Sequence, residues 1–289
     1  MESQVQYFNS EEAARILGVN VSTIKRWTAE GKLGCIKSAG GHRKFLMQHL
    51  AKFLEKNKKK AEKVNLFPLE SEADLRISQR IIKGDFHYLS DDILKNSLAA
   101  NVEKIQQVLN GLYLGQYPLA QIYDHLITPV LHEIGQLWVD EKISIAEEHI
   151  ASQSICDAVV RLQGIIRFPA KKLGKVFCLN FSNEFHSIAL KMVAHVLELR
   201  GFKVLFAGQN TPLIQIEKVF EIYHPRRVYV SGTVVEDRES TQAEFTKIAD
   251  LCHKYQAKLF VGGRAFDTIS IEHPALVRRL MNFQDVYTY

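Results

Sequence analysis

Two short stretches of this 289-residue chain hold residue types whose spacing suits ligand chemistry. In SNEFHSIA, Glu184 stands two residues before His186. A carboxylate so placed can take one ring nitrogen of an imidazole and leave the other to ligate a metal. The plainer alternative is a surface His. In WVDEKISIAEEH, Trp138 is followed after nine residues by Glu148-His149. Taken singly, a Trp at a helix end is more often core packing, and a Glu-His pair in a first helical turn is more often a solvated, capping face. Two further stretches are small and polar. One is Ser231-Gly232-Thr233; the other is Gly262-Gly263, whose lack of side chains allows close backbone approach. A third set is basic, with Ser22, Thr23, Lys25 and Arg26 in one run and His42-Arg43-Lys44 in another.

The elements that must position these groups can be read from periodicity and punctuation. Residues 175–263 alternate short apolar runs (KVFCLNF, FKVLFAG, RRVYVSG, AKLFVGG) with helical segments. That alternation predicts a Rossmann-like, doubly wound parallel sheet. Such sheets bind ligands at the carboxyl ends of their strands. Glu184 and His186 fall after the first predicted strand, Ser231 and Thr233 after the third, and Gly262 and Gly263 after the fourth. The first βα turn lacks G-x-G-x-x-G, which argues against a nicotinamide dinucleotide. Upstream, about Ser71 to Arg167, four segments carry apolar residues at steps of three and four, with Gly111, Gly115 and Pro118 as breaks. They predict a four-helix bundle. Trp138 falls near the end of its third segment. Ser144 and Glu147 form a capping box that starts the fourth, so Glu148 and His149 lie in its first turn and a half.

The N-terminal residues have the pattern of a helix-turn-helix. Ser10 is an N-cap candidate, Gly18 ends the first helix, and a second runs from about Ser22 to Gly31. Gly40-Gly41 suits a hairpin tip, and His42, Arg43 and Lys44 make it a basic wing. Charge supports this division. Residues 1–63 hold 13 Lys/Arg against 6 Asp/Glu, and the remainder 24 against 26. A basic excess confined to one end is the footprint of nucleic-acid binding. The expected layout is a winged-helix domain over 1–57, a polar, Lys-rich linker over 58–73, a helical domain over 74–168 and the sheet domain over 173–289. Four scattered cysteines, no long apolar run and no signal-like start point to a reducing, cytoplasmic setting.

These motifs carry a resemblance. EEAARILGVNVSTIKRWTAEGKL followed by GGHRKF is similar to the winged-helix head of the MerR family of transcription regulators. A helical bundle before a sheet with (Asp/Glu)-x-His after strand one, Ser after strand three and Gly-Gly after strand four resembles the cobalamin-binding module. There the cofactor lies between bundle and sheet. The resemblance implies that His186 ligates cobalt with Glu184 in support, and that Ser231, Thr233, Gly262 and Gly263 line the pocket of the nucleotide tail. Head and module together resemble the adenosylcobalamin-dependent photoreceptor repressors of the CarH/LitR type. Trp138, Glu148 and His149 then cap the upper corrin face. The same resemblance implies a tetramer that forms on the cofactor in the dark, grips double-stranded DNA, and dissolves in light. Two positions depart from the pattern: Ala189 replaces a Gly, and Val139 stands where relatives can carry a His that ligates cobalt after photolysis. Rival readings are a MerR-type regulator with a cofactor-free module and a corrinoid methyl carrier.

Overall fold

The computed structural model describes residues 7–17, 19–38, 40–46, 49–50, 52–53, 76–77, 80–81, 83–115, 117–166, 168–271 and 276–289. The expected linker over 58–73 and the helix end at Gly18 lie outside the described residues, as does part of the first bundle segment. The chain divides into two compact units, one of residues 1–118 and 125–165, the other of 119–124 and 166–289.

In the head, α1 (Ser10–Ile16) and α2 (Val21–Ala29) precede a two-stranded antiparallel ribbon, β1 (Ile36–Lys37) and β2 (Arg43–Lys44). Ser10 is not the N-cap. It is the first helical residue, and the Asn9 side chain accepts the Glu11 N–H at 2.8 Å. The ribbon turns through Gly41 at φ +77°, a conformation that strains any residue with a Cβ. Phe45 bridges back to Phe8, and Phe45, Ile24 and Leu33 are buried in the head.

In the bundle, α3 (Phe86–Leu98), α4 (Val102–Leu114), α6 (Thr128–Val139) and α7 (Ile145–Leu162) pack around buried Leu89, Ile93, Ile105, Leu109, Ile134 and Ile155. The segment read as one helix through LSDDILKNSLAANVEKIQQVLNGLYL is two. Ala100 adopts φ +53°, and Asn101 caps α4 by accepting the Lys104 N–H. Gly111 is no break: it is buried inside α4, and the helix ends at Gly115. The third segment is also composite. A short α5 (Leu119–Ile122) leads into a π turn (Tyr123–Ile127) and then α6. Pro129, near the start of α6, has no N–H to give to the preceding turn, which favours an irregular turn there.

The second unit is a parallel sheet of β3 (Gly174–Asn180), β4 (Phe202–Gly208), β5 (Arg227–Ser231), β6 (Lys258–Gly262) and β7 (Val277–Leu280), in the order β4-β3-β5-β6-β7. The helices are α8 (Ile188–Leu199), α9 (Glu217–Tyr223), α10 (Arg238–Lys254) and α11 (Phe283–Thr288). The first four strands fall where the apolar runs place them. The fifth, VRRL, has two arginines in four residues and escapes an apolar-run reading. Ser231 and Gly262 are the last strand residues, not loop residues, and lie opposite each other in register. Asn180 ends β3 opposite Ser231. Three strand ends therefore converge on one edge, as the order reversal beside β3 requires. No helix among the described residues is long and apolar enough to cross a membrane.

Candidate functional site

In the sheet unit the site is organised by one carboxylate. Glu184 is buried, at 3% exposure, although it follows a strand in a surface loop. Its Oε1 lies 2.6 Å from His186 Nδ1 and accepts the His186 backbone N–H at 2.8 Å. Its Oε2 accepts the backbone N–H of Val234 at 3.0 Å and that of Thr233. Burial alone would raise this carboxyl's pKa. The hydrogen bonds from His186, Thr233 and Val234 outweigh it and hold the pKa below the usual carboxylate value. Glu184 thus stays ionised and ties the loop after β3 to the loop after β5. The His186 side chain is 55% exposed. With Nδ1 given to a carboxylate, Nε2 is the nitrogen suited to a metal.

Asn180 was not singled out in the sequence. It is fully buried, and its Nδ2 donates to the His186 carbonyl at 3.0 Å. His186 is therefore held at N, Nδ1 and O by two side chains. The signal for Asn180 was present, as a polar residue closing the apolar run VFCL. The role of the double glycine also becomes specific. At Gly263, φ is +99°, and a Cβ would lie 2.0 Å from the Gly232 carbonyl oxygen. Gly263 is required by backbone-to-backbone packing of the β5 and β6 ends. Gly262, by contrast, has room for a Cβ at ordinary contact distance. Ser231 is buried and Thr233 half-buried. Ala189 sits half-buried in the first turn of α8.

In the bundle unit, Trp138 is no core residue: it remains 46% exposed in the last turn of α6. Helix α7 starts in the predicted capping box, with the Ser144 Oγ accepting the Glu147 N–H and Glu147 accepting the Ser144 N–H. Its core stripe is Ala151, Ser154, Ile155, Ala158 and Val159. Glu148 lies three residues before Ala151 and seven before Ile155, on that same face near the start of the helix, its side chain 20% exposed, while His149 is turned outward at 72%. Glu148 Oε2 lies 2.6 Å from His149 Nδ1, and Oε1 accepts from the Ser152 hydroxyl at 2.7 Å. This is the His186–Glu184 arrangement in a second place. Val139, which ends α6 beside Trp138, and Ile145 and Ile150 of α7 are also exposed. Exposed apolar side chains of this kind suit contact with a partly apolar ligand.

In the head, Ser22, Lys25 and Arg26 are exposed along α2, and Thr23 is half-buried. His42 and Lys44 are exposed on the wing, with the Lys44 ammonium 5.4 Å from the centre of the Tyr7 ring. Arg43 is half-buried, and its Nε has no partner among the described residues.

Comparison with known proteins gives the class. Residues 7–58 match the family model of the helix-turn-helix domain, and residues 76–163 match that of the B12 binding domain. The chain thus joins a helix-turn-helix domain to a B12-binding domain, the second carried on a helical bundle and followed by a parallel α/β sheet. Over 280 residues it is 22% identical to the HTH-type transcriptional repressor CarH of Myxococcus xanthus, covering 93% of this chain and 91% of that protein. It is also 23% identical over 177 residues to the trimethylamine corrinoid protein of Methanosarcina barkeri, 61% of this chain and 75% of that one. The solved monomethylamine corrinoid protein of Methanosarcina barkeri shares the fold, with a TM-score of 0.56 at 11% identity over 70% of this chain and 96% of that one.

Proposed function

We propose that this chain is a transcriptional repressor that binds adenosylcobalamin and double-stranded DNA, and that it performs no catalysis of its own. The observation that carries the cofactor reading is the buried, ionised Glu184 holding His186 at Nδ1 on the carboxyl edge of the sheet. Adenosylcobalamin, when bound, supplies a light-labile Co–C bond. His186 is assigned as the imidazole ligand to cobalt, with Glu184 and Asn180 fixing the ring. Ser231, Thr233, Gly262 and Gly263 are assigned to the nucleotide tail, and Trp138, Glu148 and His149 to the adenosyl group. Ser22, Thr23, Lys25, Arg26, His42, Arg43 and Lys44 are assigned to DNA. The proposed domains are 1–57, 74–168 and 173–289, joined by a linker over 58–73. Cofactor that binds only the assembled form drives tetramer formation by mass action, and linked heads gain avidity on DNA. Light reverses the assembly.

The similarity over 177 residues to a corrinoid protein favours a second reading, a methyl carrier. One preparation separates the two. The purified chain is mixed with adenosylcobalamin in the dark, desalted, and passed through size-exclusion chromatography with light scattering as apo, dark-loaded and illuminated protein. Retained cobalamin absorbance with a mass that rises in the dark and falls in light supports the repressor. Retained absorbance at constant mass fits the carrier. A colourless eluate from the wild type defeats both, and uptake by His186→Ala with an unchanged spectrum defeats the ligand assignment.

A further inference from the structure

The sheet unit carries a basic edge that the cofactor site does not use. All five strands are parallel, so their amino ends share the edge opposite His186, Ser231 and Gly262. Lys203 and Lys175 are register partners on β4 and β3. Arg226 follows on the next strand, its N–H donating to the Lys175 carbonyl at 3.2 Å, and the Lys258 N–H donates to the Arg226 carbonyl at 3.0 Å. Four neighbouring strands thus each have a cation within one residue of their start: Lys203, Lys175 and Arg226 in register on one face, and Lys258, the register partner of Arg227, on the other. At about 4.8 Å per strand the edge spans roughly 14 Å. Lys171 and Lys172, just before β3, extend it. All but half-buried Lys175 are exposed. No ion pair among the described residues involves any of the six. Lys175 instead lies over the Tyr223 ring at 5.7 Å. Glu198 and Glu221, at the ends of α8 and α9, are the acids nearest in sequence among the described residues.

Like charges set opposite each other in register destabilise a sheet. A row of them without counter-ions is a surface that gains from a polyanion. The unit holds 17 Lys/Arg against 13 Asp/Glu, an excess that the near-neutral count over residues 64–289 hides. We infer that this edge contacts the phosphate backbone of duplex DNA, as a sequence-independent surface additional to the head. Duplex DNA fits better than a small anion because the cations form an open row instead of a pocket. The chain's helix-turn-helix domain also brings a duplex to the molecule.

The test uses the full chain and a mixed-sequence duplex of about 60 base pairs, with binding read by fluorescence anisotropy across a potassium chloride series. The variant is the triple Lys203→Gln, Arg226→Gln, Lys258→Gln, its fold checked by circular dichroism and melting. Each lost phosphate contact should flatten the log K against log salt slope by about 0.9, so the triple variant should lose up to about 2.7 in slope and roughly tenfold to a hundredfold in affinity near 0.15 M salt. Arg43→Ala in the same assay reports the head. A wild-type slope and affinity in the folded triple variant overturn the inference, and so does a slope that responds to Arg43→Ala alone. If the triple variant keeps its DNA binding but loses a wild-type affinity for polyglutamate, the edge serves an acidic polypeptide and the DNA assignment is overturned. None of these readings involves cobalamin, so the inference and the cofactor reading fail separately.

Discussion

Replacing Glu184 by Gln changes one atom, and the structure says what that costs. Four N–H groups converge on the carboxylate: His186 Nδ1 and N on one oxygen, Thr233 N and Val234 N on the other. A glutamine offers one acceptor oxygen. Turned toward Thr233 and Val234, its NH2 faces two backbone donors; turned toward His186 it faces one, because a neutral imidazole can change tautomer and accept at Nδ1. Each orphaned buried donor costs about 1–3 kcal/mol, so the change costs at least roughly that. For a unit of this size, at roughly 3–5 °C per kcal/mol, the low end is a fall of about 3–5 °C in melting temperature. The assay is near-UV circular dichroism melting of the apo protein at pH 7. Glu244→Gln is the control, because Glu244 accepts a single N–H from Ser182 in a half-buried setting and Gln preserves an acceptor there. A Glu184→Gln melt within 1 °C of wild type would refute the reasoning that this carboxylate braces the two loops.

Other outcomes follow from the same geometry. His195 is buried with Nδ1 2.9 Å from the Tyr123 hydroxyl, and burial, then Lys191, pushes its pKa down from 6.5 to about 4. The folded chain keeps it neutral while the unfolded chain gains a proton below pH 6.5. Stability is therefore full above 6.5 and falls by about 3 kcal/mol as the pH drops to 4. Urea unfolding at pH 7, 5.5 and 4 should show that slope in the wild type and a flatter one in His195→Asn. Gly263→Ala drives a Cβ into the Gly232 carbonyl, so it should cost more than about 3 kcal/mol and lower the soluble yield; Gly262→Ala should be far milder. Trp138→Ala should melt within about 2 °C of wild type because the ring is half exposed. It should still take up cobalamin but lose the preference for the adenosyl form, read by competition between adenosyl- and hydroxocobalamin.

Much of this was legible because local signals agreed with the fold. KVFCLNF is apolar on both faces, which is what a central parallel strand between two helical layers needs. Ser144 and Glu147 announced their helix start because a capping box is made within four residues. Two kinds of feature escaped. Ala100 takes a left-handed conformation with no glycine to mark it, so one apparent helix became two. The VRRL strand is polar in composition because its side chains serve an edge: Arg279 pairs with Asp267, and Arg278 stacks over Tyr289. Of the site, the pairing of Glu184 with His186 is a two-residue relation and was readable. The grip on Thr233 and Val234 spans some fifty residues and left no mark. The basic edge was hidden for a related reason, since net charge adds up residues that the strand register sorts in space.

The Asp124 carboxylate, in the π turn, accepts the N–H groups of Phe283 and Gln284 at 2.7 and 3.0 Å and so caps α11, while Tyr123 stacks edge-on against Phe283. The sheet unit therefore includes a segment made early and a helix made late. During synthesis, Tyr123 and Asp124 leave the ribosome some 160 residues before their partners at 283 and 284. Until then the Tyr123 ring and the Asp124 carboxyl group wait without their native neighbours. Completion of this unit is thus tied to residues translated some 160 positions after Asp124, and a polypeptide stalled before residue 283 would display that unfinished surface to chaperones and proteases.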